Sequence, residues 1–110
     1  MVGDIEGRLC VVIDDMIDTG GTVVSAVHAL LDAGATDVVV AATHGVLSSP
    51  ATERLSSCGA REVILTNTLP IADEKRFPGV TVLSIAPLLA RAIHEVFEGG
   101  SVTSLFDGNA

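Results

Sequence analysis

The chain has 110 residues, of which 14 are acidic and 6 basic, and its formal net charge is −8. Hydrophobic residues make up 48% of the sequence, which excludes intrinsic disorder as its main state and predicts a single domain with one core. Aromatic residues are only 3% and no dense basic run occurs, so nucleic-acid binding is not expected. No signal peptide opens the chain and no apolar run approaches the ~18 residues of a membrane span, so no membrane association is predicted.

Buried β-strands are predicted where short runs rich in Val, Ile and Leu occur. Four such runs are found, at residues 8–14, 37–43, 61–66 and 80–86. A core built from aliphatic residues with almost no aromatic ones is typical of a parallel sheet covered by helices. A further short strand is predicted in the tail, at residues 101–106.

Helices are predicted between the strands. Apolar residues spaced three and four apart predict a helix over 22–33 and another from Pro87 to about residue 98. Ser-Ser-Pro at 48–50 is a typical helix start and predicts a short helix over 51–57. Strands that alternate with helices indicate right-handed βαβ units and therefore an α/β fold with a parallel sheet.

The most informative stretch is VVIDDMIDTGGT, at residues 11–22, where a strand runs into three carboxylates and then into a glycine turn. Ligands of parallel sheets bind beyond the carboxyl ends of the strands. Free N–H groups at a helix start attract anions, so 19–22 is a candidate phosphate cradle, although Gly-Gly alone indicates only a turn. Asp14 and Asp15 can accept hydrogen bonds from sugar hydroxyls, or they can hold Mg²⁺ through water. Asp18 is either a ligand-binding residue or a local hydrogen-bond acceptor, as a helix N-cap or in the turn.

This stretch resembles the phosphoribosyl pyrophosphate motif, which has an apolar strand, two acids, two variable residues and a Thr-rich phosphate loop. Type I phosphoribosyltransferases and ribose-phosphate pyrophosphokinases both carry that motif. The remaining segments resemble the pyrophosphokinases, and the resemblance extends from Val2 to about Phe106. The segments that carry it are VGDIEGR, ATHGVLSSPATERL, ILTNTLP and SVTSLF.

The resemblance implies a single-domain, three-layer α/β fold like that of the type I phosphoribosyltransferases. It also implies a cytoplasmic enzyme of nucleotide biosynthesis, which fits two cysteines without metal-type spacing. Enzymes of this family transfer a pyrophosphoryl group from magnesium ATP to ribose 5-phosphate and release phosphoribosyl pyrophosphate and AMP. Mg²⁺ is the expected cofactor, ribose 5-phosphate and ATP are the expected substrates, and the complete enzyme is expected to be a homo-oligomer.

The resemblance also assigns roles to individual residues. Asp14 and Asp15 would hold the ribose hydroxyls, directly or through magnesium. The loop around the 5-phosphate would consist of Asp18, Thr19, Gly20, Gly21 and Thr22. A regulatory phosphate or nucleotide would contact Ser101, Val102 and Thr103, unless these residues belong only to a tail strand that covers the sheet.

Other parts of the family pattern cannot be mapped onto this sequence. The family's amino-terminal half carries most of the ATP site, a metal-binding His and catalytic basic residues, and none of these is found here. Residues 1–110 are therefore expected to be the carboxyl-terminal, ribose-5-phosphate-binding domain, without catalytic residues and inactive alone. Two alternatives are a type I phosphoribosyltransferase, which would need a nucleobase hood, and a non-catalytic module that retains the loop. His44 is either a site residue or a residue that orients a loop by hydrogen bonding, and the arginines are expected on solvent faces.

Overall fold

The computed structural model describes residues 3–99, in which four strands and three α-helices alternate. Ser101, Val102, Thr103 and the expected tail strand lie outside the described residues. The elements are β1 (Leu9–Ile17), α1 (Gly21–Asp32), β2 (Asp37–Gly45), α2 (Ala51–Ser57), β3 (Glu62–Thr66), β4 (Val80–Leu83) and α3 (Ala86–Phe97). A 3₁₀ turn, Asp73–Lys75, lies in the segment between β3 and β4. Among residues 3–99 no helix is long and apolar enough to cross a membrane.

All four strands are parallel and their order in the sheet is β1-β2-β3-β4. This confirms the expected α/β class with a parallel sheet. Strand β1 continues three residues beyond its predicted end at residue 14, because its polar part still pairs with β2: Asp14 lies opposite Ala42 and Met16 opposite His44. Strand β4 ends earlier than predicted, at Leu83. The acidic pair therefore lies within a strand and not after it.

The core lies on one face of the sheet. When consecutive parallel strands are neighbours, right-handed crossovers place the connecting helices on the same side. Helices α1 and α2 share that side, and the core that they form with the sheet includes Val27, Val40, Ala51 and Leu65, each fully buried. A core of this aliphatic composition is the one that the sequence predicts.

The opposite face of the sheet is open. Leu9 is 56% exposed, Val11 55% and Ile13 80%, although all three are apolar strand residues. Helix α3 contributes no buried residue, and its apolar side chains, such as Ile93 and Phe97, are exposed. The expected three-layer arrangement is therefore found only in part: within residues 3–99 there is one helix layer on one sheet face, because the sequential strand order places both crossover helices there.

Candidate functional site

A cavity of about 280 Å³ opens where β1 passes into α1, and it is lined by the continuous stretch from Asp14 to Val23. This stretch contains every residue of the predicted sugar-phosphate site, from the two acids on β1 to the Thr-Gly-Gly-Thr loop. The cavity lies at the carboxyl edge of the sheet, which is where parallel α/β sheets bind their ligands. The structure thus brings the predicted site residues together around one concave surface.

The start of α1 leaves backbone donors unpaired. Its N-cap is Gly20, and the first hydrogen bond of the helix runs from the amide of Val24 to the carbonyl of Gly20, at 2.9 Å. The amides of residues 21–23 therefore have no acceptor within the helix. No side chain caps this helix, so Asp18 is not its cap. Free amides and the positive end of a 12-residue helix dipole together favour an anion at this point.

The backbone of Gly20 explains why a glycine is required in the loop. Its φ is +84°, a left-handed conformation that costs other residues energy. An added Cβ would lie 3.6 Å from the Cα of Ala51 and 3.8 Å from Leu55, so α2 packs directly against the loop. On the other side, the carbonyl of Ile17 accepts hydrogen bonds from the amides of Val46 and Leu47, at 3.0 and 3.1 Å. The loop is therefore held between α2 and the segment that follows β2.

The two carboxylates of β1 differ in environment. Asp14 is half-buried and Asp15 is exposed, as expected for neighbouring residues that alternate across a strand. One carboxylate oxygen of Asp14, Oδ1, accepts a 2.8 Å hydrogen bond from the amide of Asp15. Within residues 3–99 no group of three or more His, Cys, Asp or Glu side chains forms a metal-binding cluster. Both acids line the cavity and can each offer oxygen ligands there, but among the described residues they do not belong to a larger metal-binding cluster.

A second polar group lies at the ends of β2 and β3. The Nδ1 atom of His44 is 2.7 Å from the hydroxyl of Thr68, and the hydroxyl of Thr66 donates to the carbonyl of Thr43 at 2.5 Å. The amide of Ile85 donates to the side chain of Asn67 at 2.8 Å. These bonds fasten the segment after β3 to the edge of the sheet. Of the two roles considered for His44, loop orientation is the one that its hydrogen bond supports.

Arg54 is a site neighbour that the sequence pattern does not reveal. Its Nη1 atom donates to the carbonyl of Thr19 at 3.3 Å, although the two residues are 35 positions apart. A Cβ added to Gly21 would lie 3.3 Å from the same nitrogen. Arg54 is exposed, as expected, but its side chain reaches the loop because α2 packs against Gly20. Only knowledge of how α2 packs on the loop could have identified it.

The fold and the cavity define an α/β protein in which a glycine turn with free backbone amides lies between the first strand and the first helix. The chain matches the phosphoribosyl synthetase-associated domain model over residues 1–107 and therefore belongs to that family. It is 70% identical, over all 110 residues, to the ribose-phosphate pyrophosphokinase of Mycobacterium tuberculosis strain H37Rv, of which it covers 34%. The corresponding enzyme of Bifidobacterium longum is 65% identical over 107 residues, which are 97% of this chain and 32% of that protein.

A solved structure agrees with these sequence relatives. The fold superimposes on the crystal structure of phosphoribosylpyrophosphate synthetase from Mycobacterium smegmatis with a TM-score of 0.85 and 66% sequence identity. That comparison covers 90% of this chain and 33% of the other. The family predicted from the sequence is thus confirmed. The chain spans about one third of the length of the relatives that it matches.

Proposed function

We propose that this chain is the ribose-5-phosphate-binding part of a ribose-phosphate pyrophosphokinase and corresponds to its carboxyl-terminal domain. In the complete enzyme, a pyrophosphoryl group would pass from magnesium ATP to the 1-hydroxyl of ribose 5-phosphate, which yields phosphoribosyl pyrophosphate and AMP. The names of relatives up to 70% identical support this activity. They favour it over a type I phosphoribosyltransferase and over a module without catalysis.

The observation that carries the proposal is the combination of free amides and carboxylates around one cavity. The amides of residues 21–23 and the hydroxyls of Thr19 and Thr22 can hold a phosphate, because they supply donors at the positive end of α1. Asp14 and Asp15 can accept hydrogen bonds from vicinal ribose hydroxyls. The side chain of Asp18 is exposed and lines the same cavity, so it is available to the ligand.

The donor set around Asp14 and Asp15 fits Mg²⁺ as a substrate-bound cofactor. Magnesium prefers oxygen ligands and is usually held by one or two carboxylates together with water and substrate phosphates. Two carboxylates without a third protein ligand meet that description. When bound, the ion would neutralise charge on the phosphates and on the acids. The residues of this chain would orient it through oxygen atoms, directly or through water.

The open face of the sheet supports the proposal that this chain is one part of a longer polypeptide. A parallel sheet is normally covered on both sides, and its open face here carries exposed Leu9, Val11 and Ile13. In keeping with this proposal, no catalytic residue is assigned to this chain. A cytoplasmic location, a homo-oligomeric complete enzyme and a regulatory role for Ser101, Val102 and Thr103 belong to the same proposal.

Calorimetric titration of the 110-residue chain with ribose 5-phosphate tests the assignment. We expect saturable binding that Gly21→Val abolishes, because two added methyl groups would enter the phosphate cradle. Ala72→Val is the control: it adds two carbon atoms, against three in Gly21→Val, at an exposed loop position that does not line the cavity. If Gly21→Val bound ribose 5-phosphate as tightly as the unmodified chain, the loop would not be the phosphate site.

A further inference from the structure

The charges around the cavity are unfavourable for an anionic ligand. Three of the residues that line it, Asp14, Asp15 and Asp18, are acidic, and none of its lining residues is basic. A phosphomonoester carries about −1.5 to −2 charges near neutral pH, whereas a helix start supplies only about +0.5. The protein as a whole, at −8, adds to the repulsion. A phosphate in this loop therefore needs a cation close to it.

The structure offers one cation in contact with the loop within residues 3–99. Arg54 places Nη1 3.3 Å from the carbonyl of Thr19 and equally close to the position of a Cβ on Gly21. Its charge is not committed elsewhere, since no carboxylate of the described residues lies within ion-pair distance. Three other arginines each have such a partner: Arg8 pairs with Asp4, Arg61 with Asp37 and Arg76 with Asp73.

The guanidinium has enough donors for two tasks. It carries five N–H bonds, and only one of its nitrogens is used by the carbonyl of Thr19. The remaining donors can form a charge-assisted and bidentate contact with a phosphate, which a lysine cannot reproduce. Because Arg54 stands on α2, whose residues Ala51 and Leu55 pack against Gly20, the side chain is supplied by a fixed element.

We propose that Arg54 is a phosphate-binding residue, which holds the turn through Thr19 and neutralises the phosphate of the ligand in the same loop. This inference rests on the proposed function and extends it with a residue outside the 14–22 motif. It also explains how an anionic ligand is accepted by a cavity lined with carboxylates. The nearby acids then face the hydroxyl-bearing part of the ligand.

The test compares Arg54→Gln, Arg54→Lys and the control Arg61→Gln by titration with ribose 5-phosphate at several salt concentrations. Loss of a charge-assisted contact should weaken binding by about 10–100-fold in Arg54→Gln. Arg54→Lys should bind with intermediate affinity, because it keeps the charge and loses the bidentate geometry. Arg61→Gln should bind like the unmodified chain, although it changes the net charge equally. The salt dependence of binding should also be smaller for Arg54→Gln.

Three results would overturn the proposal. One is unchanged affinity in Arg54→Gln, and another is an equal loss in Arg61→Gln, which would indicate only the overall charge. The third is a result in which Arg54→Gln loses affinity, its binding keeps the salt dependence of the unmodified chain, and Arg54→Lys binds no better than Arg54→Gln. That result would indicate that Arg54 has a purely structural role. If the unmodified chain itself bound no ribose 5-phosphate, the proposed function would fail and this inference with it. Urea unfolding of each variant separates lost binding from lost folding.

Discussion

The two adjacent glycines of the loop, Gly20 and Gly21, are required for different structural reasons. Gly20 has a φ of +84°, whereas Gly21 is the first residue of α1 and does not adopt a positive φ. A side chain on Gly20 would also face Ala51 and Leu55 at ordinary contact distances, so strain and not collision dominates there. At Gly21 the nearest atom is the mobile end of Arg54. The first glycine is therefore needed for the backbone conformation of the loop, and we propose that the second keeps the phosphate cradle open.

Alanine substitutions should separate these two roles. Gly20→Ala should lower the free energy of unfolding by about 1–2 kcal/mol, because an L-residue is forced into the left-handed region. Gly21→Ala should leave it unchanged or raise it by up to about 1 kcal/mol, because alanine restricts the unfolded chain. Urea denaturation of both variants measures the difference. Equal losses in the two variants would contradict this account of the loop.

The acidic pair provides a second prediction at the scale of residues. Asp14 and Asp15 are adjacent like charges, and a bound cation would relieve their repulsion. Mg²⁺ should therefore raise the melting temperature of the chain, since it binds the native state. Replacing both residues by Asn should raise the melting temperature without magnesium and remove the magnesium effect. A thermal scan with and without MgCl₂ measures this, and an equal magnesium response in the double variant would count against the site.

At the scale of elements, the sheet has two unlike faces built from similar residues. Val40, on the middle of β2, is 0% exposed beneath the helix layer, whereas Val11, on β1, is 55% exposed on the open face. Burial of a valine side chain should therefore stabilise the fold strongly at position 40 and only weakly at position 11. This asymmetry follows from strand order, which places both crossover helices on one side.

Valine-to-threonine substitutions at these two positions form a matched pair, because the side-chain shape hardly changes. Val40→Thr buries a hydroxyl in an apolar core and should lower the free energy of unfolding by about 1–3 kcal/mol. Val11→Thr should change it by less than about 0.5 kcal/mol, since its side chain is half in water. Urea denaturation gives both values. Similar losses at the two positions would show that the open face is covered in solution.

The elements and the site loop could be predicted from the sequence because their signals are local. Aliphatic runs, helical spacing and the order of acids and glycines in 11–22 each extend over a dozen residues or fewer. Two features could not be predicted. The open sheet face depends on which strands become neighbours, and the contact between Arg54 and Thr19 joins residues 35 positions apart. Neither the open sheet face nor the Arg54 contact produces a local sequence pattern, because both arise when separate elements pack together.

At the scale of the whole molecule, the chain covers about one third of the length of its relatives, and we propose that it supplies the cradle for one substrate. Transfer of a pyrophosphoryl group requires both substrates to be oriented, an advantage worth roughly 7–11 kcal/mol in favourable cases. It also needs cations against the transferring phosphates. Arg54 contacts the loop at Thr19, and the only lysine, Lys75, lies in the 3₁₀ turn.

We therefore expect the purified chain to bind ribose 5-phosphate but to produce no AMP from magnesium ATP and ribose 5-phosphate. A full-length relative such as the Mycobacterium tuberculosis enzyme, assayed in the same way, is the positive control. Chromatographic detection of AMP over time gives the readout. Turnover by the chain that persists after a second purification would show that the part of the relatives outside this chain is dispensable.

The most direct test of the central claim is an NMR titration of the ¹⁵N-labelled chain with ribose 5-phosphate. If the loop is the sugar-phosphate site, the amide signals of residues 19–23 should shift in a saturable way, together with the side-chain signal of Arg54. Amides at the amino ends of the strands, such as that of Asp37, should not move. Saturable shifts confined to another region, or no shifts at millimolar ligand, would contradict the assignment of this loop.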